Sequence, residues 1–121
     1  MTTHPQPPGS IDISPAVIAT ITNQAVHQCY GVVGMANRNL VDGIAHVLTR
    51  DSRRGIEVSF ENGEIVIDIY VIIQYGTRIR AVAESIQNTV KFHVEKALGQ
   101  ATPVREVNVY IQGLRMNDGE S

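Results

Sequence analysis

Residues 64–98 read EIVIDIYVIIQYGTRIRAVAESIQNTVKFHVEKAL, an apolar strand that runs through Tyr75-Gly76 into an amphipathic helix of about six turns. The first part, Glu64 to Gln74, is rich in β-branched residues and holds neither Gly nor Pro, which predicts a strand. Thr77 offers an N-cap hydroxyl for the helix. Ile79, Val82, Ala83, Ile86, Val90, Val94 and Ala97 then recur at three- and four-residue steps along one side, and Gly99 ends it. Nothing in this unit resembles a catalytic apparatus, so the reading tilts from an enzyme toward a binding or assembly domain.

Upstream, Ile56 to Phe60 alternates apolar and polar residues, and Asn62-Gly63 is a strong two-residue hairpin signal. A type I′ turn there sets Phe60 opposite Ile65, Val58 opposite Ile67 and Ile56 opposite Ile69 on a core side. It also sets Glu57 opposite Asp68 and Glu61 opposite Glu64 on the other side. Like charges face each other in that second set, which costs stability unless the groups are well solvated or a cation or basic partner sits there, and solvation is the expected explanation. Downstream, Val107, Val109 and Ile111 alternate with Asn108, Tyr110 and Gln112 in a last strand. Because a whole helix joins it to the first strand, the two run parallel if they share a sheet.

Toward the N-terminus, Ser14-Pro15 is a helix start, with Ile13 placed to pack on Ile18 as a staple. Val17, Ile18, Ile21, Ala25 and Cys29 form the buried stripe of a helix ending near Tyr30. Gly31 to Met35 reads as a short strand between glycines. A weaker helical pattern follows through Leu40, Val41, Ile44, Ala45, Val47 and Leu48, then a loop from Thr49 to Gly55. Residues 1–10, with Pro5, Pro7, Pro8 and Gly9, read as a mobile tail, and 115–121 as a fraying one. The expected whole is one domain over 11–114, α+β in two layers, with helices on one face of a small mixed sheet.

Composition agrees with a single compact unit: 121 residues, 43% of them hydrophobic, are enough to bury a core without staples. A formal net charge of −2 gives no global pull toward phosphate backbones or anionic lipid, which argues against nucleic acid as a partner. The lone Cys29 cannot make an internal disulfide, and no signal-peptide pattern opens the chain, so a cytoplasmic location is expected. Asp68 and Gln74 interrupt the longest apolar run, and no segment reads as a membrane span.

No metal or cofactor set is legible. His27 and Cys29 point to different sides of a helix, His46 lies in another element, and neither Cys-x-x-Cys nor His-x-x-x-His occurs. His93 falls on the apolar side of the long helix, where a core-edge histidine bonded to backbone is the plain explanation. Gly31-Val32-Val33-Gly34 imitates an RNA-clamping Gly-x-x-Gly loop. Its valine centre and following strand favour a tight helix-to-strand turn instead. Arg50, Arg53 and Arg54, with Arg78 and Arg80 as candidates to join them, make an anion-binding corner in one reading and solvated surface in the other. Val66, Tyr70, Ile72 and Tyr110 all point to the sheet face away from the helices. That face is too apolar to leave in water, which marks it as a self-association surface.

These residues carry a resemblance. G-V-V-G-M at Gly31, N-L-V-D-G-I-A-H-V-L at Asn39, R-G-I-E-V at Arg54, the strand ending in Q-Y-G at Gly76, and V-N-V-Y-I-Q-G-L at Val107 together resemble the alkaline-shock, or envelope-stress-response, protein family of mostly Gram-positive bacteria. The Pro-rich start and Thr102-Pro103 depart from it. The resemblance implies a non-enzymatic cytoplasmic protein of cell-envelope homeostasis, a self-assembling scaffold that takes no cofactor. It also implies attachment at the inner membrane face through a membrane-anchored partner. It supplies no catalytic residues. The alternative from the residues alone is a small helix-on-sheet module for nucleic acid, using the Gly31 turn and the arginine corner.

Overall fold

The computed structural model describes residues 13–36, 55–99 and 102–116. In chain order they form α1 (Pro15–Val26), β1 (Val32–Met35), β2 (Ile56–Glu61), β3 (Glu64–Gln74), α2 (Ile79–Leu98) and β4 (Val104–Arg115). The proline-rich start, the helical pattern from Leu40 to Leu48, the arginine loop as far as Arg54 and the stretch from 117 onward lie outside the described residues.

β3 is the axis of a four-stranded sheet. β4 runs parallel along one of its edges from Ile65 to Gln74. The other edge is shared end to end by two antiparallel strands, β2 against Glu64–Ile69 and β1 against Val71–Ile73. The sheet is therefore mixed. α1 packs on β2 and on α2, and α2 packs on β4, so both helices cover one face and the fold is the expected α+β layout. Ile65, Ile67, Ile69, Val71 and Ile73 of β3 are wholly buried under them, together with Ile18, Val26, Ile86, Val90 and Val94. Five buried aliphatics on one strand remove enough apolar area from water to make this rung series the main source of cohesion.

The hairpin has the register that a type I′ turn dictates, with Asn62 at φ 53° and Gly63 at φ 81°, and Phe60, Val58 and Ile56 opposite Ile65, Ile67 and Ile69. Phe60 is nevertheless exposed. It sits on the core side at the tip of the hairpin, beyond the part that the helices cover.

The helices depart from the sequence pattern in detail. The buried row of α2 is Val82, Ile86, Val90 and Val94, with Leu98 packed beside the core, while Ile79 and Ala97 are exposed. A four-residue step keeps a row on one line, and Ile79 and Ala97 lie off it at the helix ends. Arg78, not Thr77, occupies the N-cap, and no side chain caps there. The Thr77 hydroxyl instead donates to the Gln74 carbonyl at 2.7 Å, closing the Tyr75-Gly76 turn. In α1, Ser14 and Pro15 hold the expected cap and first position, but the Ser14 side chain makes no capping bond and Ile13 is exposed. The buried stripe there is Ile18, Ala19, Thr22, Ala25 and Val26, with Ile21 partly buried against the core and Val17 exposed.

At the middle of β3, two backbone bonds tie three strands together. The Ala36 N–H donates to the Tyr70 carbonyl at 2.9 Å, and the Tyr70 N–H donates to the Gly55 carbonyl at 2.8 Å. Ala36 and Gly55 thus meet β3 on one rung. A Cβ on Gly55 would collide with the Ala36 carbonyl oxygen, and φ is +92°, so only glycine fits there.

Candidate functional site

The sheet face turned away from the helices carries the residues singled out for association. The register brings Val66, Tyr70, Ile72 and Tyr110 to that one face, with Tyr70 directly opposite Tyr110. Their rings stack at 4.7 Å between centroids and 14° between planes, a geometry that adds roughly 0.5–1.5 kcal/mol beyond area burial. The face is not uniformly open. Val66 is 6% and Tyr70 9% exposed, Ile72 is half-buried, and Tyr110, at 44%, is the open member of the group. Parity along the strands, which placed these residues together, does not distinguish the one that solvent reaches.

Polar pairs flank the tyrosines. Asn108 donates to Asp68 Oδ1 at 3.0 Å and to Glu106 Oε1 at 3.4 Å. Solvation alone does not explain how Glu61 and Glu64 face each other. A bulge between the Ile65 and Val66 rungs makes Arg105 an extra residue of β4, and its guanidinium reaches Glu61 at 3.3 Å, Glu64 at 4.0 Å and Glu106 at 3.9 Å. All of these groups are half-exposed, so the cluster relieves a repulsion more than it adds stability.

A second surface was not legible in the sequence. At the end of the sheet where β3 passes into α2, the Gln74 N–H donates to the Gly31 carbonyl and the Tyr75 N–H to the Arg115 carbonyl, drawing three chain segments together. Tyr30 is 83% exposed there, and Tyr75, Ile79, Leu114 and Met116 are exposed too. Tyr30, Gly76, Thr77, Arg78, Ala81 and Ser85 line a shallow cleft of about 390 Å³ at this end. The available signal was the repeated Tyr-Gly pair at 30–31 and 75–76. Each glycine has positive φ and reverses the chain, leaving the preceding tyrosine on the outside.

The remaining candidates separate. Gly31, at φ +92°, turns the chain from α1 into β1, and a Cβ there would meet a methyl of Val82 at 2.9 Å, in keeping with a tight turn. Cys29 is buried, its thiol 3.6 Å from the Ala25 carbonyl oxygen. His93 is half-buried beside the shallow groove between α1 and α2. Its ring meets Phe92 edge-on at 5.3 Å, where a backbone hydrogen bond was expected, and it makes no hydrogen bond among the described residues. Arg78 and Arg80 are exposed at the start of α2, while Arg50, Arg53 and Arg54 lie outside the described residues. Among the described residues no group of three or more His, Cys, Asp or Glu is placed to hold a metal, and no helix is long and apolar enough to cross a membrane.

Comparison with known proteins places this geometry in a family. Residues 3–116 match the profile of the alkaline shock protein 23 family, which is described as having a cell envelope-related function. The chain belongs to that family. It is 43% identical over 112 residues to the uncharacterized protein YloU of Bacillus subtilis (strain 168), covering 91% of this chain and 92% of that one. To the uncharacterized protein Spy1614 of Streptococcus pyogenes serotype M6 it is 34% identical over 110 residues, 89% of each. Among solved structures, a MamM CTD chain superposes with a TM-score of 0.46 and 12% identity, over 85% of this chain and 86% of that chain.

Proposed function

We propose that this chain is a non-enzymatic scaffolding module of the cell envelope. It acts in the cytoplasm by self-association and is held at the inner membrane face by a membrane-anchored protein partner. The envelope connection comes with the family. Self-association is supported chiefly by Tyr110, an exposed aromatic at the open end of a buried stack. A half-exposed ring of that size, beside half-buried Ile72 and on a face that neither described helix covers, gains by meeting a second apolar surface.

The test is sedimentation velocity on the wild type and on Tyr110→Glu, with circular dichroism on both. A carboxylate at this position is solvated in the free chain and desolvated in the assembly. The variant should therefore keep its secondary structure and associate at least about tenfold more weakly. A wild type that stays monomeric at high concentration, or a variant that associates equally well, would remove the scaffold reading.

A further inference from the structure

β4 is a twelve-residue strand that pairs with β3 along one edge and with no other described strand. Among the described residues, about 40 Å of backbone edge has no strand beside it. Strand edges of this length are normally blunted by prolines, inward charges or a covering element. β4 has no proline, and its inward residues Val107, Val109 and Ile111 are apolar. Two helix side chains touch the strand's backbone, both toward its N-terminal end: Glu95 Oε2 accepts from the Val104 N–H at 3.1 Å, and Gln87 Nε2 donates to the Val107 carbonyl at 3.0 Å.

The hydrogen-bond directions along β4 follow from its neighbours. On β3 the Tyr70 amide and carbonyl are committed to Gly55 and Ala36, so alternate residues face β4. Ile65 and Tyr75 accordingly donate to the Pro103 and Arg115 carbonyls. On β4, Asn108, Tyr110 and Arg115 then direct their backbone groups at β3, and Val107, Val109, Ile111 and Leu114 direct theirs at the open edge.

We propose that two copies of this chain pair β4 to β4, antiparallel, about a two-fold axis at Tyr110. The sheets of both copies then become one. This inference rests on the self-association proposed above and names the edge and register through which it occurs. About that axis Val109 meets Ile111 of the second copy, and both have outward backbone groups to exchange. Tyr110 meets Tyr110 as a non-hydrogen-bonded pair, where side chains come closest. The stacked Tyr70 and Tyr110 rings of each copy then form a row of aromatics across the dimer.

The bulge in β4 decides the outer rungs. Ile111 pairs with Val71 and Gly113 with Ile72, which makes Gln112 the extra residue and slips the count by one beyond it. As a result Val107 meets Leu114 on the helix side, and Glu106 meets Arg115 on the outer side. The first pair covers a leucine that is exposed in the single chain. The second sets opposite charges together at both ends of the interface. Without the bulge Glu106 would meet Leu114, on the wrong face. The Val107 carbonyl has a second lone pair, so Gln87 need not leave. Self-complementarity of face, hydrogen-bond direction and charge in one register is what points to a second copy of this chain as the occupant.

Charge reversal tests the register without touching the core, because Glu106 and Arg115 are both exposed. Glu106→Arg alone and Arg115→Glu alone each turn two attractive pairs into two repulsive ones. Each should weaken self-association about tenfold at low salt. An equimolar mixture of the two single variants, and the double variant, should both restore it. In the wild type, hydrogen exchange of the Val109 and Ile111 amides should slow as protein concentration rises. If Tyr110→Glu breaks the assembly while the charge reversals change nothing and those amides exchange freely, the edge is wrong and the broader association reading stands. If the wild type does not associate at all, both fail.

Discussion

The two faces of β3 solve different problems with the same strand. On the helix side Ile65, Ile67, Ile69, Val71 and Ile73 are all β-branched aliphatics and all wholly buried. Each is held by volume and has no specific partner. On the outer side Val66, Asp68, Tyr70, Ile72 and Gln74 differ from rung to rung, and each rung has its own arrangement: Asp68 with Asn108, Tyr70 with Tyr110. The lesson is that one face is specified by how much it fills, the other by which side chain stands across from it. Substitutions should therefore act by lost volume on the first and by lost pairing on the second.

The hardest blow to that comparison is dealt on the helix side. Ile69→Ala removes three carbons from a site where Ile56 and Val109 stand on either flank. It should lower the free energy of unfolding by about 2–5 kcal/mol, read as a fall in the urea midpoint. A loss under about 1 kcal/mol would mean the helices repack freely, and the volume argument for this face would go with it.

An intermediate effect is expected where neither face decides and the backbone does. Gly55→Ala should cost about 1–3 kcal/mol, combining a positive φ with a methyl pushed into the Ala36 carbonyl. Gly63→Ala is the control, since its φ is also positive but its Cβ would meet nothing. The Gly55 variant should be the more destabilised of the two by thermal melting. Equal losses would show that the close approach to Ala36 relaxes at no expense.

Much of this was legible in the sequence, and what was not has identifiable causes. Asn62-Gly63 sets the hairpin register because few dipeptides accept two positive φ angles in succession, and the alternation in Val107 to Ile111 sets the face of β4. The parallel pairing of β3 and β4 followed from the helix between them. The helix stripes were read less well, since Ile79 and Ala97 stand a three-residue step from the ends of the buried row and so fall off its line. Likewise Val66, Tyr70, Ile72 and Tyr110 were brought to one face by parity, yet parity could not show that Val66 and Tyr70 are nearly closed off while Tyr110 is open. Three features depend on chain segments meeting in space, and local pattern alone does not bring those segments together. These are the exposed end around Tyr30 and Tyr75, the shared rung at Tyr70, and the reach of Arg105 to two strands.

The smallest effect belongs to that last residue and sharpens the pairing rule for the outer face. Glu61 and Glu64 stand on the closing rung of the hairpin, and Arg105 arrives from β4 through a bulge to sit beside both. If pairing governs this face, removing the guanidinium leaves two like charges opposed across one rung, and the loss should be electrostatic in character. Arg105→Gln keeps most of the stem and the capacity to hydrogen-bond, so it isolates the charge. Half-exposed ion pairs contribute little, and the expected destabilisation is below about 1 kcal/mol in dilute buffer. At about 1 M salt the Debye length shrinks to roughly 3 Å, and the difference from wild type should nearly vanish. Urea unfolding of both proteins at low and high salt reads this directly. A difference that persists unchanged in high salt would assign Arg105 a packing role through its aliphatic stem, and the outer face would then be governed at this rung by volume, as the inner one is.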